Sequence, residues 1–526
     1  MTHDCDVLVI GGGAAAVRAA VEAAQPGTRV VLVDKGDFER SGTTPLSLHG
    51  LVTTLHATDS PQHLMQDIVR VGGNLNDYDL VRRATDDAGR EPEQLEALGI
   101  HFHREEGGQY HIYRGDGHSV PHGLTFDHDD NGLNFVTVLA KEAWKRGVTL
   151  IEKVMIVDLL VDNGQVFGAV GIAENEAPWI FSARAIVLAA GGANRIFPNV
   201  ETRIINEMYR TTGDGLVLAL RAGLNLVDME MANFRNSPPA SRLKARYINA
   251  KGEAFMSRYD PMGDHASRGK VVEALFREMQ AGNGPIHMEI TEESERIAEF
   301  SPMEYKNYVR AYKEGKRPPV TITFQRLLGG AHIKADASTA VRGLYAAGES
   351  SGGFHGGDRL QGAAFLETQV FGRLAGVNAR QFACSASREN KAEKLAAAPA
   401  ERVRQLLAGG NGGPAADVIR RVQKIAWDYA SIVKDAAGLN TALGALAEIK
   451  DQIRSGLTGR YVFEPLEAEN LAITAEAIVR ASLQREETRA THRRRDFQQP
   501  DEKLKRVHTS VTLKDRMVAE FVPCRD

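Results

Sequence analysis

The sequence predicts an α/β fold built on a parallel sheet with helices on its faces. Three observations carry this. Short runs rich in Val, Ile and Leu alternate with helical segments through the first half of the chain. The first such run, Asp6-Val-Leu-Val-Ile10, leads straight into Gly11-Gly-Gly13-Ala-Ala-Ala16. The next, Val30-Val-Leu-Val33, ends in Asp34.

Taken in order, these elements form a strand, a glycine turn, a helix over 14–24 and a second strand with an acid at its tip. Gly11 permits the tight turn, and Gly13 lets a pyrophosphate approach the backbone. Ala16 stands where a third glycine is usual and still allows close packing of helix on sheet. The first amides of the helix, at Ala14 and Ala15, then point at phosphates with the helix dipole behind them. Asp34 is placed to accept both hydroxyls of a ribose. The unit reads as Rossmann-like.

Further strands are expected at 148–160, 166–173 and 185–190, and helices at 62–70, 78–98 and 133–146. From about 235 to 340 the pattern turns polar and irregular, as in an inserted domain. The strand Leu344-Tyr-Ala-Ala347 and a helix over 363–380 return to the first style. Residues 386–403 are rich in Ala, Glu and Lys and read as exposed. Gly409-Gly-Asn-Gly-Gly-Pro414 breaks the chain, and three amphipathic helices are expected over 415–485. The last stretch is basic, then irregular, and reads as an arm wrapping the body.

Composition sets limits. The 526 residues suffice for about three domains. A net charge of -4 supplies no basic field for nucleic acid. The three cysteines, Cys5, Cys384 and Cys524, are too few and too scattered for a disulfide framework or an iron–sulfur cluster built from this chain alone. No apolar run is long enough to span a bilayer, and residues 1–10 read as a core strand rather than a signal peptide, so no direct membrane insertion and a cytoplasmic location are expected.

Three later segments complete a dinucleotide site. Ile186-Val-Leu-Ala-Ala190-Gly191-Gly-Ala193 is a strand ending in a small-residue turn. Thr212-Gly-Asp214-Gly215 opens a helix. Gly343-Leu-Tyr-Ala-Ala-Gly348-Glu349 is a strand and glycine turn with an acid after it. Ligands bind at the carboxyl ends of parallel strands in such sheets. The length, order and spacing of these segments point to FAD.

The chain resembles the flavoprotein family of succinate dehydrogenase, fumarate reductase and L-aspartate oxidase. The resemblance rests on Thr212 to Gly223, Leu226-Val-Asp-Met-Glu230, Gly252 to Tyr259, Ala266-Ser-Arg-Gly-Lys-Val271, Gly343 to Glu349, His355-Gly-Gly-Asp-Arg359-Leu360, Val370-Phe-Gly-Arg373 and Glu487 to Phe497. It implies an FAD-binding domain at 1–234 and 341–385. It also implies an α+β capping domain at 235–340 and a helical C-terminal domain with a basic arm at 386–526. Cofactor contacts are implied at Lys35, Ser41, Gly42, Thr43, Gly50, Val154, Asp214, Glu349 and Arg359. Gly362, Ala363 and Ala364 are implied at the flavin pyrimidine edge. Arg359 would bind a substrate carboxylate, and Arg268 would be the catalytic arginine that shuttles a proton. A guanidinium fork suits the first task because it binds carboxylate bidentately.

Departures from the family are equally informative. Gly42 stands at the position of the histidine that bonds covalently to flavin, so FAD is expected to be noncovalent. Arg235 and Gln325 replace two histidines of the substrate pocket, in Glu230-Met-Ala-Asn-Phe-Arg235 and Gln325-Arg-Leu-Leu-Gly-Gly330. A structural alternative pairs Arg235 with a neighbouring acid such as Glu230. The expected function is FAD-dependent hydride transfer to or from a small di- or polycarboxylate, with an electron-transfer partner protein as one route for the electrons. The alternative is a flavin-bearing subunit of a multi-subunit redox complex of the fumarate reductase or adenylylsulfate reductase type. His101, His103, His111, His118, His122 and His128 fall in one segment, but no cysteine joins them and no metal site is expected there. Arg493-Arg-Arg495 reads as an ion-pair element.

Overall fold

The computed structural model describes residues 2–38, 41–46, 50–127, 132–174, 178–198, 211–237, 245–266, 268–290, 309–317 and 319–526. The expectations that concern Arg40, His128 and Ser267 lie outside these residues.

The core of the fold is a five-stranded parallel sheet. Its strands are β1 (Val7–Ile10), β2 (Val30–Val33), β3 (Thr149–Ile151), β4 (Ala185–Leu188) and β5 (Leu344–Ala346), in the order β5-β4-β1-β2-β3. Val7 to Ile10 register with both Ala185 to Leu188 and Val30 to Val33. β1, β2, β4 and β5 are buried along their whole length, as their continuous apolar runs require. Helix α1 (Ala14–Ala23) follows the glycine turn and packs against α2 (Ala363–Ser385). The approach is close because two glycines of α2 face α1. A Cβ on Gly372 would lie 2.7 Å from the Ala15 carbonyl oxygen, and one on Gly376 would lie 2.2 Å from that of Ala19. Arg18 is buried at this crossing and paired with Glu22 at 2.9 Å and Glu91 at 3.2 Å.

Several expected elements differ in detail. The helix expected over 78–98 is two helices, Tyr78–Asp87 and Glu91–Ala97, because Gly89 interrupts the run and Pro92 suits a helix start. The strand expected over 148–160 breaks at Lys153, which has φ 58, so β3 is followed by a separate strand Val154–Asp162. That strand and Gln165–Ala173 are not in the parallel sheet. They pair antiparallel with each other, and Pro178–Ser182 continues the same sheet. Residues 392–407 form a helix with Ala392, Ala396, Val403 and Leu406 buried, in a stretch expected to be exposed up to 403.

The three expected amphipathic helices are Ala415–Ala430, Ala436–Arg454 and Glu464–Gln484. The final segment is a β-hairpin, not an arm. Val507–Leu513 pairs antiparallel with Met517–Pro523 and with Leu226–Val227, closing a five-stranded sheet that also contains Gly330–His332 and Ser351–Gly352. The β-branched run Val507-His-Thr-Ser-Val-Thr-Leu513 outweighs the basic residues before it.

By contacts the chain divides into two compact units. One comprises Met1–Pro198, Asn206–Met231 and Arg326–Asp526. The other contains Ala232–Gln325. Residues 386–526 thus fall in the same unit as the parallel sheet. The second unit has its own small sheets, one pairing Ala245–Ile248 with His287–Ile290, and a helix Arg268–Gln280. No helix among the described residues is long and apolar enough to cross a membrane.

Candidate active site

The glycine turn after β1 is dictated by close contacts. Gly11 has φ +114, and a Cβ there would sit 2.2 Å from the Ala189 carbonyl oxygen. A Cβ on Gly12 would lie 2.0 Å from Asp34 Oδ2. Gly13 is different: its φ is -79, and among the described residues a Cβ would meet only Thr44 Oγ1, at 3.3 Å. The amide of Ala14 donates to that same hydroxyl at 3.1 Å, and the Val17 amide closes the first helical turn on Gly13 O. The open side of Gly13, ahead of a helix N-terminus, fits a pyrophosphate.

Asp34 is buried at the end of β2. Ser41 Oγ donates to its Oδ2 at 2.5 Å and the Gly36 amide donates to Oδ1 at 2.9 Å. Burial raises its pKa, and these two bonds oppose the rise. Lys35, beside it, forms a bridge that sequence reasoning missed. Its ammonium contacts Asp214 at 2.7 Å and Glu467 at 3.1 Å and donates to Thr212 Oγ1 at 2.8 Å. Burial disfavours the charge on Lys35, but the two carboxylates outweigh burial and raise its pKa. Asp214 also accepts from Thr212 and Asn470. Helix Glu464–Gln484 is thereby tied to the nucleotide end of the sheet.

Beyond β4 and β5, Gly191, Gly348 and Glu349 lie close together. Ser350 Oγ donates to Gly191 O at 2.9 Å, just past Ala190. Gly348 has φ +67 and turns the chain so that Glu349 points at Gly192, where a Cβ would lie 2.3 Å from its carboxylate oxygen. The Leu327 amide donates to Glu349 at 3.2 Å. Burial raises the Glu349 pKa, while Arg326 and Arg359 pull it down. Gly362, at φ +83, starts α2, so Ala363 and Ala364 open a helix at this end of the sheet. A Cβ on Gly50 would meet Leu124 O at 2.0 Å, so this glycine is required by packing. Val154 contributes a backbone bond to Asp34 O at 3.1 Å. Ser41, Gly42 and Thr43 form the bend before Thr44, with Gly42 at φ +74.

Arg359 sits on a clamped loop. Gly357 N donates to Gly72 O at 2.8 Å, Thr491 Oγ1 donates to Gly357 O at 2.7 Å, and Asn76 Nδ2 donates to Phe354 O at 2.8 Å. The Arg359 amide donates to Asp358 at 2.7 Å, and its guanidinium reaches Leu360 O at 3.4 Å. His355 pairs with Glu367 at 3.0 Å, and burial pushes its pKa down to about 4, so it is neutral. His118 Nε2 bonds Gln361 O at 2.9 Å, and His122 lies between Asp59 at 2.6 Å and Asp67 at 3.0 Å. The flanks of Arg359 are thus anchored from several directions.

The other expected substrate residues belong to the second unit. Arg268 begins the helix Arg268–Gln280 and is half-buried. Arg235 and Gln325 lie on the paired strands Ala232–Ser237 and Thr321–Leu327. Phe234 and Phe324 pack edge-on with centroids 5.4 Å apart. Alternation along the strands therefore places Arg235 and Gln325 together on the opposite face. The Glu230 carboxylate is engaged by Arg485 at 2.6 Å and by Thr509 at 2.5 Å.

The FAD binding domain model matches residues 6–365, and the fumarate reductase flavoprotein C-terminal model matches residues 419–522. The chain belongs to this flavoprotein family. It is an FAD-dependent oxidoreductase of the fumarate reductase and L-aspartate oxidase type. It is 32% identical to a fumarate reductase (CoM/CoB) subunit of Methanothermobacter marburgensis, over 99% of each chain. It is 28% identical to an L-aspartate oxidase of Streptomyces coelicolor, covering 98% of this chain and 92% of that one. Mycobacterium smegmatis Sdh1, solved in complex with UQ1, superposes with TM-score 0.89 at 26% identity, covering 100% of this flavoprotein and 95% of Sdh1.

Proposed function

We propose that this flavoprotein transfers hydride between FAD and a small di- or polycarboxylate, with FAD held noncovalently. Bound FAD supplies a hydride acceptor or donor at its N5. The protein's own residues do the rest. Gly11, Gly13 and the first amides of α1 receive the pyrophosphate, and Asp34 takes the adenosine ribose. Glu349 takes a hydroxyl of the flavin half, and Gly362, Ala363 and Ala364 border its pyrimidine edge. Lys35, Ser41, Gly42, Thr43, Gly50, Val154, Ala190, Gly191, Asp214 and Gly348 complete the cradle. Residues 1–234 and 341–385 carry these groups, 235–340 act as the cap, and 386–526 brace the nucleotide end.

Arg359 binds a substrate carboxylate. The observation that carries this reading is its position: a guanidinium on an anchored loop, within electrostatic reach of Glu349 and His355 at the start of α2. Arg268 moves the proton at the substrate carbon next to the one that exchanges hydride. Arg235 puts a permanent positive charge where the family has a histidine, and Gln325 removes a titrating group from the same sheet face. The substrate therefore carries an additional acidic or polar group beyond the two carboxylates of succinate. Cytoplasmic location fits this chemistry.

A second reading is favoured by the scatter of the cysteines. Cys5 and Cys524 are buried and Cys384 is exposed. They cannot jointly hold an iron–sulfur cluster, so electrons leaving flavin would pass to a partner protein or to a small acceptor. The relative from M. marburgensis is itself one subunit of a reductase.

The test is anaerobic. The yellow protein is mixed with a panel of dicarboxylates, tricarboxylates and amino dicarboxylates, and flavin bleaching is followed; the dithionite-reduced protein is mixed with their unsaturated counterparts. Fast reaction with a more highly charged member, and slow reaction with succinate, fumarate and L-aspartate, is expected. Efficient turnover of L-aspartate or succinate that survives Arg235→Ala would make Arg235 a structural residue and overturn the altered-pocket reading.

A further inference from the structure

A buried cluster outside the flavin site has the chemistry of a metal centre. Asp77, the N-cap of helix Tyr78–Asp87, is fully buried, and each of its carboxylate oxygens faces an imidazole. His332 Nε2 is 2.7 Å from Oδ2, and His508 Nε2 is 3.1 Å from Oδ1. One donor atom from each of the three residues lies within 4.8 Å of the others. The three come from distant segments: a helix cap, the strand Gly330–His332 and the C-terminal hairpin. The other nitrogen of His508, Nδ1, bonds Asp228 at 2.6 Å. The Cys524 thiol contacts His508 and lies 3.5 Å from Leu75 O. Arg525 Nη2 donates to Asp77 Oδ2 at 2.8 Å.

We propose that Asp77, His332 and His508 bind a divalent transition metal of the zinc class. Two imidazoles and one carboxylate are ligand types that zinc selects, whereas magnesium and calcium take oxygen ligands. Metal bonds of about 2.0 Å in a tetrahedron separate neighbouring donor atoms by roughly 3.3 Å, so with Asp77 Oδ2 as the ligand its 2.7 Å gap to His332 Nε2 has to open by roughly 0.6 Å. Asp228 supplies the outer carboxylate that fixes the orientation and tautomer of a ligating histidine.

The bound metal joins the C-terminal hairpin to the strand Gly330–His332 and to the start of helix Tyr78–Asp87.

The experiment uses the FAD-loaded protein, stripped with a chelator and titrated separately with zinc and with cobalt. One zinc per chain should survive gel filtration, with proton release on uptake. Cobalt should give d–d bands in the red, clear of flavin. Asp228→Asn should weaken zinc binding by about 10–100-fold, and His332→Gln should abolish stoichiometric binding. His63→Ala, on an exposed helix face, should change nothing. Zinc no higher in wild type than in His332→Gln would overturn the proposal and leave a proton-holding ion-pair cluster. If His332→Gln does not fold, absence of the cobalt bands in wild type overturns it equally.

Discussion

Gly11→Ala and Gly13→Ala should fail in different ways. At Gly11 the φ of +114 is strained for any L side chain, and the new methyl would lie 2.2 Å from Ala189 O and 2.7 Å from its carbonyl carbon. Both neighbours are backbone, and the Ala189 amide is fixed by donating to Ile10 O at 2.9 Å. The clash falls more than about 1 Å inside van der Waals contact, and no flexible side chain is there to yield. Backbone strain of about 1–3 kcal/mol and overpacking of about 1–3 kcal/mol add to a destabilisation on the order of 2–6 kcal/mol. Gly13 has φ -79, and among the described residues an added Cβ meets only Thr44 Oγ1, at 3.3 Å. Its apoprotein should stay within about 0.5 kcal/mol of wild type. In the holoprotein the methyl holds the pyrophosphate off the α1 amides. Losing one charge-assisted hydrogen bond, about 1.5–3 kcal/mol, raises the FAD dissociation constant about 10–150-fold. Thermal melts of the stripped proteins and FAD titrations by flavin fluorescence separate the two. A wild-type melting temperature for Gly11→Ala, or FAD affinity within about threefold of wild type for Gly13→Ala, would refute the reasoning.

Denaturation in acid should release FAD from the polypeptide, because Gly42 offers no nucleophile; a flavin band that stays with the chain on a denaturing gel would contradict this. Arg359→Lys should chiefly raise KM by losing the bidentate fork, and Arg268→Lys should chiefly lower kcat with FAD retained; wild-type kinetics in both would remove both assignments. Lys434→Met should raise the melting temperature at pH 7. Burial pushes the Lys434 pKa down to about 7, with Glu230 opposing and Arg494 adding to the fall. Between that value and the ordinary 10.5 the unfolded chain binds more protons, so wild-type stability should rise with pH by up to about 1.4 kcal/mol per unit. Lys434→Met should remove that slope, and equal slopes in chemical denaturation at pH 7–9 would count against it.

The strand, turn and helix at residues 6–23 were legible because every cause is local. A buried parallel strand must be continuously apolar, and a turn with positive φ must use glycine. The role of Gly12 was not legible, since it depends on where the Asp34 carboxylate packs, at 2.0 Å from a Cβ on Gly12. Thr44 was missed for the same reason: its contact with the Ala14 amide spans thirty residues. Glu467 and Asn470 lie still farther along the chain, and only the fold shows that a C-terminal helix neutralises Lys35. The hairpin at 507–523 was read through its charges, although the β-branched alternation beneath them decides its structure. At Val154–Asp162 and Gln165–Ala173 the apolar runs fixed strand character but not sheet membership, because the same run serves a parallel sheet or an antiparallel layer.

The departure at Gly42 extends to the backbone itself. With φ +74 and no atom of the described residues within 4 Å of an added Cβ, the residue is constrained in chirality rather than in volume. A histidine there would cost about 1–2 kcal/mol in the left-handed region, with nothing among the described residues packed against it to repay the strain. Gly42→His is therefore expected not to create a covalent flavin link by itself. Arg235 and Gln325, by contrast, sit in regular strands where side chains exchange without changing the backbone. Substrate preference should accordingly respond to single substitutions at Arg235 or Gln325, whereas the mode of flavin attachment should not respond to one at Gly42.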